Sequence, residues 1–128
     1  MVQEMEFLKS GSNQHEGLVV YSMGNFLSNQ RNEILNMTGT EDGVISRVIM
    51  KRGADGEIRI STAQVIPTWV NRIEDGAFFK YEILPIDPDP SVTAARFHAD
   101  EDSLRESLDN TLRAVQSSRV TQFDFNHE

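Results

Sequence analysis

The chain contains no cysteine. Disulfides, thiolate metal sites and a cysteine nucleophile are therefore excluded. No apolar run approaches the roughly 20 residues that a membrane helix needs, so no membrane span is expected. Residues Met1 to Glu6 are acidic and lack the apolar stretch of a signal peptide. Positive charge is scarce: 12 Lys and Arg stand against 20 Asp and Glu, for a net charge of −8, and no basic cluster is longer than Lys51-Arg52. Such a chain repels phosphate backbones, which argues against a nucleic-acid partner. The three histidines, His15, His98 and His127, form neither His-x-His nor His-Glu-x-x-His, and they read as solvated loop residues. There is no Gly-x-Ser-x-Gly elbow and no phosphate-binding glycine loop. On these grounds no catalytic residue and no metal ligand is assigned, and no cofactor is expected within these residues.

What is present is mostly β-signal. At 128 residues the chain is one domain by size. Val2 to Leu8 and Leu18 to Ser22 read as strands joined by the polar loop Lys9 to Gly17. Ser28 to Met37 reads as a helical turn anchored by Ile34, Leu35 and Met37. Val44 to Met50 and Ile58 to Val65 flank Gly53-Ala-Asp-Gly56, an Asp-Gly hairpin turn. Thr68 to Arg72 and Phe78 to Leu84 flank Glu74-Asp-Gly76 as a second hairpin. Pro67, lacking an amide donor, predicts a bulge or an edge position between them. Prolines at 85, 88 and 90 break the pattern, and Asp87 and Asp89 between them read as a rigid, solvated linker. From Asp100, a plausible N-cap, a helix runs to about Ser118, with Leu104, Leu108, Leu112 and Val115 as its apolar stripe. Phe123 and Phe125 alternate in a tail that ends as a last strand or frays. The expected architecture is α+β: a mostly antiparallel sheet with two hairpins and a C-terminal helix. It divides into a β-rich region over 1–86, a Pro/Asp-rich linker over 87–99 and a helix over 100–120.

The most informative stretch is Gly17 to Arg31. A short β-run stops at Ser22, a tight turn follows at Gly24-Asn25, and a polar Ser28-Asn-Gln-Arg31 tail closes it. A strand ending in a small polar turn is a common way to present functional groups at a sheet edge. Asn25 is the leading candidate for a substrate rim, with Ser22, Asn29 and Arg31 beside it. The alternative for Asn25 is an Asx-type turn that holds its own backbone. Trp69, Phe78, Phe79 and Tyr81 form an aromatic group on the second hairpin. It serves either as cross-strand packing or as a surface for a carbohydrate or anionic polymer.

Tyr21-Ser-Met-Gly-Asn-Phe26 resembles the Tyr-Ser-Leu-Gly-Asn-Phe signature of the bacterial poly-gamma-glutamate capsule-biosynthesis (CapA-like) family, within the calcineurin-like metallophosphatase superfamily. Glu41-Asp-Gly-Val-Ile45, Val65-Ile-Pro-Thr-Trp-Val70 and Tyr81 to Pro85 resemble segments that follow that signature, and Met1 to Glu6 one that precedes it. The resemblance implies the C-terminal portion of a four-layer fold, with two sheets between helices. For the full-length family it implies divalent metals of the Mn or Mg type and phosphoesterase-like chemistry in the cell envelope. The family's Gly-Asp, Asn-x-His and His-x-His ligand motifs have no counterpart here. The implied chain is thus a truncated domain without its metal-binding half, inactive alone, and Asn25, Ser22, Asn29 and Arg31 remain as rim or indirect contributors. The implied partners are the missing N-terminal half, a second copy through an exposed sheet edge, or an anionic polymer. A different class of reading is a free-standing β-rich binding or assembly module that uses a Trp69/Phe78/Tyr81 surface.

Overall fold

The computed structural model describes residues 1–11 and 15–125; His127 lies outside them. It is an α+β fold of mostly antiparallel strands in two sheets with a few helices. Strands β1 (Met5–Lys9) and β2 (Glu16–Val20) pair antiparallel as a small hairpin. A short helix, α1 (Asn32–Leu35), follows. The main sheet is built from β3 (Asp42–Arg52), β4 (Ile58–Asp75) and β5 (Phe78–Pro85), in that order, all antiparallel. Helices α2 (Pro90–Phe97) and α3 (Glu101–Val115) come next, and β6 (Val120–Gln122) returns to lie parallel to β4.

Both expected hairpins form about their Asp-Gly turns. Gly56 and Gly76 take φ of +82° and +63°, a conformation that glycine reaches without steric penalty. The bulge, however, is not at Pro67. It falls between Ile49 and Met50 of β3, and Pro67 sits in register opposite Val44, inside the central strand. The reason is a change of partner. One side of β4 faces β3. The other faces β6 over residues 63–65 and β5 from Thr68 onward. Pro67 lies at the seam between those two partners. Its carbonyl accepts from the Ile86 amide at 2.8 Å, so its own nitrogen, on the same side of the strand, points to a place where no ladder bond is required. The Gln122 side chain bridges the seam by donating to the Ile86 carbonyl at 3.2 Å.

Two apolar clusters lie between the sheet and α3. Trp69, Leu84, Ile86, Leu104 and Leu108 form one, with Ala94, Phe97 and Ala99 of the α2 region packed against it. Val2, Met5, Val44, Val65 and Val115 form the other, roofed by Leu18 and Val20 of the hairpin. The expected stripe of α3 is corrected at one position, since Leu112 is exposed while Thr111 is fully buried. At 100° per residue Leu112 lies about 80° around the helix from Leu104, whereas position 111 lies about 20° from it. Asp100 caps α3, accepting from the Ser103 amide at 2.8 Å.

The span 87–99 is not a linker. Asp89 accepts from the Ser91 amide at 3.1 Å and N-caps α2, with Pro90 at its start. Proline is favoured there because the first-turn amides have no helical partner to lose. Asp87 is buried rather than solvated; it accepts from the Asp89 amide at 2.9 Å, and its own amide donates to Thr93 Oγ1 at 2.9 Å. Ile34, Leu35 and Met37 do not anchor α1, for all three are exposed.

Candidate functional site

The Tyr21–Phe26 turn is built onto the start of β3. The Asn25 amide donates to the Asp42 carbonyl and the Val44 amide to the Met23 carbonyl, each at 2.9 Å. Gly24 and Gly43 face one another across this bridge. A Cβ on Gly24 would strike the Asp42 carbonyl oxygen, and one on Gly43 would strike that of Asn25. Gly24 also has φ +76°. Both glycines are thus required by close backbone approach.

Asn25 is buried and turned inward. Its Nδ2 donates to the Ser28 carbonyl at 3.2 Å and the Thr40 carbonyl at 3.0 Å, and its Oδ1 accepts from Ser28 Oγ at 3.0 Å. Both amide protons are therefore engaged inside the 25–41 excursion, one in a local turn and the other tying its two ends together. Ser22 Oγ donates to the Met1 carbonyl at 3.0 Å and accepts from the Gly24 amide at 3.2 Å, which also makes it a turn-forming group. Asn29 is exposed on the excursion. Tyr21 points back to the hairpin, its phenol donating to Glu6 at 2.9 Å, and that bond raises the phenol pKa.

Arg31 is buried, which its place in a polar tail did not suggest. Where β3 ends, the edge of β4 continues, and Arg31 covers it. Its Nη1 donates to the Val70 carbonyl at 2.9 Å, and its Nε lies 2.9 Å from Glu41 Oε1. Glu41 Oε2 accepts from Trp69 Nε1 at 3.1 Å, and the Val70 amide donates to the Glu41 carbonyl at 3.1 Å. The guanidinium also stands 5.9 Å from the Trp69 ring centroid. Charge and ring face are both engaged in one buried knot, while the Nε–H is not aligned for a hydrogen bond to Glu41. One turn outward, Arg72 pairs with Glu33 of α1 at 2.9 Å.

Of the four expected rim residues, then, Asn25, Ser22 and Arg31 gather at this junction as structural ties, and Asn29 stands apart from their hydrogen bonds. Glu41 and Asp42 are the polar residues at the junction that sequence reasoning did not single out. Two acids directly before a glycine and a β-run were the available signal. Asp42 is buried beside Ser107 and Asn110 of α3; burial pushes its pKa up, more than those two neighbouring polar side chains lower it.

The aromatic surface does not exist as expected. Trp69 is buried in the core, whereas Phe78 is 78% exposed at the hairpin tip. Trp69 pairs with Leu84, Arg72 with Tyr81 and Asp75 with Phe78. Alternation along the strand therefore puts Tyr81 on the face opposite Trp69, and Phe78 on the same face but about 20 Å away. Among the described residues no three His, Asp or Glu side chains converge as a metal site, and no helix is long and apolar enough to cross a membrane. Comparison with family models, with curated proteins and with solved structures finds no match for this chain.

Proposed function

We propose that this chain is the C-terminal part of a CapA-like protein of poly-gamma-glutamate capsule or cell-envelope polymer synthesis. In this reading it acts as the scaffold half of a metallophosphatase-like domain and is inactive alone. The observation that carries the reading is convergence. Three separate stretches that resemble the family, 21–26, 41–45 and 65–70, meet at one junction through Gly24, Gly43, Glu41 and Trp69. Motif residues that tie backbone to backbone suit a supporting half, whose role is to hold a rim rather than to donate ligands.

The turn and the excursion together add a second support. Met23, Phe26, Leu27, Ile34, Leu35 and Met37 are between 44% and 67% exposed. A run of exposed apolar residues that dense is the kind of surface another layer covers. The metal ligands, of the Mn or Mg type, belong to the other half in this reading, and no step of chemistry is assigned to the residues described here.

The test is to read the coding DNA upstream of Met1 in frame and to assay capsular polyglutamate after deletion of the locus. Gly-Asp, Asn-x-His and His-x-His codons running into Val2, with loss of the polymer on deletion, are the expected result. A stop codon close upstream together with unchanged polymer output would overturn the proposal.

A further inference from the structure

On the α3 side of β3, behind the junction, lies a cavity of about 190 Å³, where Thr38, Gly39, Asp42, Asn110 and Thr111 share the lining with the apolar side chains of Met1, Val2 and Ala114. Exposed Thr38 stands at its rim, so the cavity communicates with solvent. Its lining is mixed, and two of the polar groups in it are unusual. The Asp42 residue is only 5% exposed. The charges acting on it, those of Glu41 and Glu106, are both negative. Glu41 has Arg31 as its counter-ion; among the described residues, the groups that lower the Asp42 pKa are the neutral Ser107 and Asn110 side chains. Thr111 is fully buried, and its Oγ1 has no hydrogen-bond partner. A buried hydroxyl ordinarily finds a partner, in a helix often the carbonyl one turn back. Gly39, at φ +75°, lets the chain pass over the carboxylate: a Cβ there would stand 3.0 Å from Asp42 Oδ2.

A buried carboxylate with no cationic side chain acting on it among the described residues, and an orphan hydroxyl, thus line the same cavity. We infer that this cavity is a binding site for a primary ammonium group, held by the Asp42 carboxylate with the Thr111 hydroxyl and the Asn110 side-chain oxygen as further acceptors. Three N–H donors on one compact cation match three acceptors of this kind. A single carboxylate is too few for a hard divalent ion, which gathers several. The volume exceeds that of a bare monovalent ion and equals about six waters at roughly 30 Å³ each, room for a short alkylamine. The inference rests on this cavity alone and does not depend on the family reading.

The experiment titrates the whole chain with methylammonium chloride, following melting temperature and backbone amide NMR shifts. Sodium chloride and tetramethylammonium chloride at equal ionic strength serve as the arms without N–H donors. The expected result is a saturable rise in melting temperature with methylammonium alone, and shifts centred on Gly39, Asp42, Asn110 and Thr111. Asp42→Asn abolishes the saturation, and Thr111→Val weakens it on the order of tenfold, the worth of one hydrogen bond. If Asp42→Asn does not fold, Thr111→Val and the map of shifted amides decide. Acetyl-lysine amide distinguishes the source: tighter binding than methylammonium assigns the site to a partner's lysine, and equal or weaker binding to a free amine. Equal responses to all three salts, or saturation unchanged in Asp42→Asn, would overturn the inference.

Discussion

Two regions of this molecule are held by opposite means. Between the sheet and α3, Leu84, Ile86 and Leu104 are all but completely buried, and cohesion there comes from removing apolar surface from water. The 25–41 excursion exposes its apolar side chains and buries four of its polar ones, Asn25, Arg31, Thr40 and Glu41. The first arrangement is tolerant in direction and collective in energy. The second depends on a few directional bonds, and each lost partner leaves a buried charge or amide unsatisfied. The lesson is that a segment rich in Phe, Leu, Ile and Met need not be core. Here a few buried polar side chains fix the backbone and the apolar ones are left outward.

The largest effect expected of a single change is in the apolar region. Leu104→Ala should cost about 4 kcal/mol, within the range for deleting a fully buried leucine, and should shift the denaturant midpoint for every probe alike. A cost below about 1 kcal/mol would mean that α3 packs more loosely than its burial indicates. Next comes the polar knot. Arg31→Ala should cost about 3 kcal/mol by stranding Glu41, and the loss should be local, with amide exchange accelerating over residues 33–41 before the sheet. The pair Arg31→Met with Glu41→Gln should recover much of it. Uniform acceleration across β4 and α3 would erase the contrast between the regions.

The smallest and most specific effect concerns pH. Burial raises the Asp42 pKa above its ordinary value of 3.8. The folded chain then keeps a proton that the unfolded chain has released, so this group's contribution to stability falls as pH rises from that value through the folded-state pKa. Asp42→Asn should remove that fall. The stability difference between variant and parent should grow in the variant's favour across the window and then level off. A difference that is flat with pH would show that the carboxylate titrates as it does in the unfolded chain.

Much of the fold was legible in the residues, because local chemistry and tertiary context agree there. Asp55-Gly56 and Asp75-Gly76 turn where glycine can take positive φ, and Asp100 caps where a carboxylate can reach a first-turn amide. Helix α2 was missed because Pro88 and Pro90 were weighed only as breakers. The same Asp89-Pro90 pair is also an N-cap followed by a favoured first helical residue. Pro67 misled for a different reason: whether a strand proline is costly depends on whether a ladder partner faces its nitrogen, and Pro67 falls between β6, which pairs as far as Val65 and arrives from far along the chain, and β5, which pairs from Thr68. Asn25, Ser22 and Arg31 lie at the junction around the Gly24-Asn25 turn, and Asn29 stands apart from their hydrogen bonds. Their inward orientation was not legible, since the Arg31 partners Glu41 and Val70 are named only by the path of the excursion.

The seam beside Pro67 carries a consequence for how the chain is made. Strand β4 offers one side in series to β5, its immediate successor, and to β6, which follows two helices later. During synthesis the hairpin closes as soon as it emerges, while the side of β4 at Ala63 to Val65 stands uncovered until Val120 to Gln122 leave the ribosome. A nascent chain stalled between these points presents a ready-made template for a foreign strand, so the interval between the two pairings is when this molecule is most exposed to capture by a chaperone or by another copy of itself.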